Sequence, residues 1–530
     1  MNNRRWWALA AVCAATFMLL VDVTIVQVAL PTVQRDFRAT FSDLQWVIDA
    51  YALVLSSLIL TSGALADRFG RKRVFVAGVA IFTAGSFLCG VAGGATALVV
   101  SRAAQGVGGA AMFATGLALI GQDFRGPERL KAIALWGATV GGAVAAGPLL
   151  GGLITQAISW RWVFFVNVPI GVATVAVSVP LMVNKADPDA RRLDVAGLVT
   201  FSGSLFLLVL TLVRGNDDGW ASGKILALFA AAAALMAAFI IVERRQARPM
   251  FDLSLFRGRA FTGVSLATFA IGSGMFASLP YLTFYLQNGL GYSPLAGGLR
   301  LLPATLMAFL VPLVVGRAGE KIPSAWLLFA GLALSGTGLL LMAHLSAGSS
   351  WTTLLAGLVV CGVGVGLANP AIGRIALSVV PPQRSGMASG ISNTFRIAGL
   401  ATGVAALGAL LEHRLASSLG HQLGHTTPAL PKQVASEGIR AAAATGQPAH
   451  VLLAAYVAGT NEVLFIGGLV VLVGAALALA MVRARDLPAA APAPVVVALP
   501  EAAPQSEAES RLARRSEQLT ENSATGPARR

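Results

Sequence analysis

About fourteen apolar stretches, each long enough to cross a bilayer as a helix, alternate with short polar segments along most of the chain. The first six are expected near Trp6–Pro31, Leu44–Ala66, Val74–Ala92, Ala97–Ile120, Ala132–Ile154 and Val163–Val183. After a charged linker come two more, near Leu193–Val213 and Ile225–Val242. A last six are expected near Phe261–Leu286, Leu295–Val315, Trp326–His344, Trp351–Ile375, Gly386–Leu411 and Val463–Val482. The pattern predicts an all-α membrane protein with spans arranged as six, two and six.

Composition agrees with that reading. Of 530 residues, 56% are hydrophobic and 12% are charged, about half the charged share of a soluble domain. The net charge of +15 resides largely in short loops, which points to membrane orientation and not to nucleic acid. With the N-terminus in the cytoplasm, alternate loops carry Arg68, Arg71, Lys72 and Arg73, then Arg125, Arg129 and Lys131, then Lys185, Arg191 and Arg192. The opposite loops are poor in positive charge, as the positive-inside rule requires, so both termini are expected in the cytoplasm. Trp6–Pro31 exceeds a secretory signal's apolar core and is read as a retained span.

The segments divide the chain into a bundle over 1–184, an inserted pair over 185–259 and a second bundle over 260–486. A polar outer segment, 412–450, is expected to be a loosely ordered loop. The Pro-, Ala-, Glu- and Arg-rich stretch 487–530 is expected to be a disordered cytoplasmic tail. Cys13, Cys89 and Cys361 lie singly in apolar spans and form no disulfide framework. His413, His421 and His425 lack companion ligands in register, so no metal is expected. No phosphate-binding loop occurs, and Gly362, Gly364 and Gly366 lie inside a span; no nucleotide or other cofactor is expected.

The chemistry begins at Asp22, a lone carboxylate inside the first span. A charge there costs at least about 2.5 to 3.5 kcal/mol, so it is expected to turn inward and to titrate. At 1.5 Å per residue, Asp22 lies about 12 Å and Arg102 about 8 Å from the outer ends of their spans. Asp49 falls in the same layer. These three form the expected proton-coupling set.

Between the second and third spans, Gly63-Ala64-Leu65-Ala66-Asp67-Arg68-Phe69-Gly70-Arg71-Lys72-Arg73 resembles the loop signature of the major facilitator superfamily. Gly63 is read as permitting close helix approach and Gly70 a positive-φ turn, with Asp67, Arg68 and Arg71 completing a gating loop. Leu20 through Pro31, with Gln27 where Asn is usual, resembles the first-span motif of the drug:proton antiporters with about fourteen spans. Arg102, Gln105 and Gly106 resemble their fourth-span pattern. Gly147, Pro148 and Gly151, with neighbouring glycines, resemble the fifth-span antiporter motif, read here as a hinge or seal. Trp160-Arg161-Trp162 and Asn167-Val168-Pro169 extend the likeness, and Gly316 to Lys321 looks like a degraded second copy of the gating loop.

The resemblance implies two six-helix bundles that rock about a central cavity, and proton-driven export of an amphipathic small molecule such as an antibiotic, by a chain working as a monomer. Gln27, Gln105, Tyr281, Tyr285, Asn393 and Arg396 are the expected cavity residues. A proton-coupled metabolite symporter and a transport-inactive receptor are the rival readings. An enzyme is disfavoured, because no nucleophile, base and metal ligands converge.

Overall fold

The computed structural model describes residues 3–124, 126–184, 194–246, 251–318, 322–380, 385–423 and 429–483. The basic residues Arg125, Lys185, Arg191 and Arg192, the end of the second-half loop at 319–321, His425 and the tail 487–530 lie outside the described residues.

Among the described residues the fold is helical throughout. The first half contains α1 (Asn3–Phe37), α2 (Phe41–Phe69), α3 (Arg71–Gly90), α4 (Ala95–Asp123), α5 (Gly126–Ala157), the short α6 (Trp162–Phe165) and α7 (Asn167–Leu181). The inserted pair is α8 (Val195–Asp218) and α9 (Gly223–Arg245). The second half comprises α10 (Arg259–Ala270), α11 (Ala277–Phe284), α12 (Pro294–Ala318), α13 (Ser324–Met342), α14 (Leu355–Ser378), α15 (Ser385–Leu423), α16 (Ala429–Glu437), α17 (Ala441–Thr445) and α18 (Ala449–Met481). Among the described residues thirteen helices are long and apolar enough to cross a membrane, and the bent α5 makes up to fourteen.

Local chemistry sets the helix ends. Thr40 and Asp43 form a reciprocal cap that starts α2. Gly70, at φ +96°, ends it and turns the chain into α3, a conformation costly for any residue with a Cβ. Helix α1 continues past Pro31 to Phe37. Losing one backbone donor at Pro31 is outweighed by contacts of the added turn: Asp36 accepts from Trp160 Nε1 at 3.0 Å and from Arg161 Nη1 at 2.7 Å.

Segment 412–450 corrects the expectation of a loose loop. Helix α15 runs on to Leu423, α16 and α17 follow, and α18 begins at Ala449. Leu411, Leu415 and Leu419 recur once per turn and are buried, as are Leu430 and Val434. That buried stripe pays the ordering entropy that polar composition alone had suggested the segment could not meet.

The inserted pair is fastened at both ends. At one end Asp194 caps α8, its Oδ1 accepting from Gly197 N at 2.7 Å, while Glu243 of α9 accepts from Phe251 N at 3.2 Å. Beside them Phe201, Phe239, Phe251, Phe256 and Phe395 pack ring against ring, with centroids 5.2 to 6.4 Å apart. At the other end Asn216 Nδ2 donates to Ala409 O at 2.8 Å, and Asp217 pairs with Lys432. Between these ends α8 packs on both α2 and α15.

Contacts between the halves differ along the interface. At the end where α1 passes to α2, Gln287 Nε2 donates to Val28 O at 2.8 Å and Gln45 Nε2 to Val404 O at 3.2 Å. A Cβ on Gly152 would meet the Pro294 carbonyl, and one on Gly298 the Pro148 carbonyl. Toward the other end of α2 the halves still meet, Gly390 of α15 lying against Leu60, whereas a Cβ on Gly63 would meet no described atom within 4 Å, so the close approach expected at Gly63 is not made here.

Candidate functional site

Five helices of the first half converge on one carboxyl group. Asp22 of α1 is fully buried, and its Oδ2 accepts from Arg102 Nη1 of α4 at 2.5 Å. Its Oδ1 accepts from Gln105 Nε2 at 2.9 Å and from Asn167 Nδ2 of α7 at 3.3 Å. Gln105 and Asn167 are themselves held by the Ser86 hydroxyl of α3, at 2.7 and 3.0 Å. Arg102 is held at further points: Nη1 also donates to Gln105 Oε1 at 2.7 Å, Nε donates to Val47 O at 3.2 Å, and the Tyr51 ring lies 4.1 Å from its Cζ. The Cys89 thiol donates to Gln105 Oε1 at 3.7 Å. This is a closed polar network in an apolar bundle, where each unmet bond would cost more than in water.

Asp22 of α1 and Arg102 of α4 meet, as their similar depth along the spans suggests. Gln105 stands one turn from Arg102 and joins this network, not the cavity wall. Ser86, Tyr51 and Asn167 escape a reading of the sequence, because small polar residues are common in packed spans and nothing marks which face them. For Asn167 the signal was present in Asn-Val-Pro, without a partner to assign it to.

Asp49 shares the layer but not the site. Helical periodicity turns it about 200° away from Val47 and from Tyr51, the two α2 residues that hold Arg102. It is fully buried, both carboxyl oxygens lack a hydrogen-bond partner, and it lies within electrostatic range of Tyr281 in the second half.

The gating-loop residues come together around Gly70. Arg71 reaches Asp67 at 3.5 Å and donates Nη1 to Ala118 O at the end of α4, 3.1 Å away. Asn184 donates to Phe69 O and accepts from Arg73 N, both at 3.3 Å, and its amide fills the space a Gly70 Cβ would need. Arg68 lies over the Phe69 ring.

In α5 the axis bends by 45° between Leu135–Ala143 and Ala146–Ala157, one turn before Pro148, where the ring displaces the i−4 carbonyl. The glycines that follow let α1 lie close. A Cβ on Gly151 would sit 2.8 Å from Ile25 O, and one on Gly147 would overlap the Thr24 side chain.

The remaining cavity candidates are not gathered at one place. Gln27 is buried. Tyr281 is buried and donates to Val404 O, and buried Tyr285 packs beside Gly289 and Tyr456, so both lie inside interhelical packing here. Asn393 and Arg396 of α15 are half-buried and bonded to one another at 2.7 Å. Among the described residues no three His, Cys, Asp or Glu side chains form a metal-binding group.

A many-span helical bundle with an acid–arginine network buried in one half defines a polytopic membrane protein. Residues 12–404 match the Major Facilitator Superfamily, and the chain belongs to that family. It is 36% identical over 433 residues to the multidrug resistance protein Stp of Mycobacterium tuberculosis (strain CDC 1551 / Oshkosh), covering 81% of this chain and 80% of that one. It is 32% identical over 502 residues to the tetracenomycin C resistance and export protein of Streptomyces glaucescens, covering 90% and 92%. The fold superposes on the crystal structure of a bacterial homolog to the human lysosomal transporter Spinster with a TM-score of 0.60 at 17% identity, covering 93% and 100%.

Proposed function

We propose that the protein exports an amphipathic drug-like molecule across the cytoplasmic membrane in exchange for protons, by alternating access of two bundles, 1–184 and 260–486. The observation that carries the proton step is the buried Asp22–Arg102 pair. When Asp22 takes a proton, Arg102 loses its counter-charge and is left to the Gln105 and Val47 oxygens and the Tyr51 face, all of which it already contacts. The rearrangement of α1 against α4 passes to α5, because Thr24 and Ile25, on the turn after Asp22, are the residues that Gly147 and Gly151 lie against. Asp49 is assigned as a second acid on the route, at the face of α2 turned toward Tyr281. The positive-inside pattern supports an orientation with the α2–α3 turn and both termini in the cytoplasm.

The names of the two relatives, resistance and export proteins, support a drug-like cargo, and the family supports a monomeric working unit. The inserted pair, 185–259, braces α2 against α15. The test is a panel of antibiotics applied to a susceptible host expressing the wild type or Asp22→Asn at equal levels. The wild type raises the inhibitory concentration of at least one compound and the variant does not. Equal protection by both would remove the proton role of Asp22.

A further inference from the structure

Two arginines lie in mid-span, and the fold treats them differently. Arg102 is 2% exposed and meets a carboxylate, two carbonyl oxygens and an aromatic face. Arg396 is half-buried, and among the described residues its guanidinium has one hydrogen bond, from Nη2 to Asn393 Oδ1. Among the described residues no carboxylate pairs with it. The acids nearest in kind are engaged or enclosed elsewhere: Asp22 with Arg102, Glu462 with Arg414 at 3.2 Å, Glu412 with Asn216 at 3.3 Å, and Asp49 fully buried.

The neighbours of α15 fix where Arg396 points. Thr394 donates to Ser56 O at 3.4 Å and Gly390 lies against Leu60, so α2 covers that face. Gly399 and Gly403 press on the backbone of Phe269 and Ser273, so the span containing α10 covers another. At about 100° per residue, Asn393 falls in the sector between those two contacts and Arg396 at the edge of that sector, beside the α10 contact. The π-helical turn Ile271–Phe276 rests through Gly272 on the Arg396 carbonyl, and such widened turns recur at functional sites. A guanidinium without a counter-charge in this setting costs several kcal/mol, which a bound anion offsets.

We propose that the cargo is an amphipathic organic acid, its carboxylate or acidic phenolate received by the fork of Arg396 beside the Asn393 amide, while its rings lie along the apolar walls. This rests on the export reading and names its substrate class.

The test uses two dyes on one xanthene scaffold: fluorescein, an anion, and rhodamine 123, a cation. Equilibrium dialysis with the full chain in phosphatidylcholine nanodiscs measures binding of each. Fluorescein is expected to bind saturably in preference to rhodamine 123, with affinity falling at least about tenfold in Arg396→Gln and less in Arg396→Lys. Asp22–Arg102 packing is expected to be unchanged in both variants, and Arg396→Gln, which removes the uncompensated charge, is expected not to lower the thermal unfolding temperature. Equal binding of the two dyes, no fluorescein binding, or an affinity indifferent to Arg396→Gln would overturn the proposal. So would loss of fluorescein binding in nanodiscs containing phosphatidylglycerol, which would assign Arg396 to a lipid headgroup. Fluorescein bound at Arg396 but not carried by proteoliposomes under a pH gradient would remove the export reading and leave the acid site standing. Gradient-driven uptake of rhodamine 123 alone would do the reverse.

Discussion

Arg102 Nη1 stands 2.5 Å from Asp22 Oδ2, with both side chains closed to solvent. Removing one partner of a buried pair leaves the other uncompensated, at a cost of about 3 to 5 kcal/mol. Arg102→Leu is therefore expected to lower the thermal unfolding temperature in detergent sharply. Arg102→Leu combined with Asp22→Leu should recover much of the loss, because the double variant buries no charge. A double variant no more stable than Arg102→Leu would show that the pair is not the source of the effect.

The turn between α2 and α3 makes a separate prediction. Gly70 has φ +96° and the Asn184 amide occupies its Cβ direction, so Gly70→Ala should cost about 1 to 2 kcal/mol or more. Asn184→Ala in the same chain removes the overlap but not the backbone strain, so it should restore only part of the melting temperature. Full restoration would mean that sterics alone select glycine here.

Two glycines of α5 should behave oppositely. Gly147→Val drives its side chain into Thr24 and should abolish transport in a chain that still reaches the membrane. Gly137→Ala meets no described atom within 4 Å and stands in a helix, where alanine is favoured by about 1 kcal/mol. It should keep its melting temperature or gain a little. Loss of transport in Gly137→Ala would show that another helix closes on that residue during the cycle.

At the inserted pair, Phe251 stacks on Phe256 with planes 8° apart and touches Phe201, Phe239 and Phe395. Phe251→Ala opens a cavity in that cluster at a cost of about 3 to 5 kcal/mol. Limited proteolysis should then cut the chain near residues 247–250 faster than in the wild type. An unchanged cleavage rate would mean the cluster does not secure the pair.

The spans were legible because hydropathy over some twenty residues reports lipid exposure directly, and Asp22 with Arg102 were legible because depth along a helix follows from counting residues. Rotation about the helix axis is what counting does not supply. It turns Asp49 away from Val47 and Tyr51, its neighbours on α2 that hold Arg102, and it brings Gln105, expected at the cavity wall, to the Asp22 carboxyl. Ser86 and Asn167 belong to the network only because α3 and α7 lie beside α1 and α4, a tertiary fact without local signal. Segment 412–450 was misjudged because its polar surface masks the one-per-turn leucines that bury it.

The exchange mechanism is tested most directly by proton flux. Purified chain in phosphatidylcholine liposomes, with a pH-sensitive dye inside and an exported compound added outside under an imposed pH gradient, should show compound-dependent proton movement. Asp22→Asn should abolish that movement while still exchanging labelled for unlabelled compound at equal concentrations. Compound-dependent proton movement of wild-type size in Asp22→Asn would contradict the account.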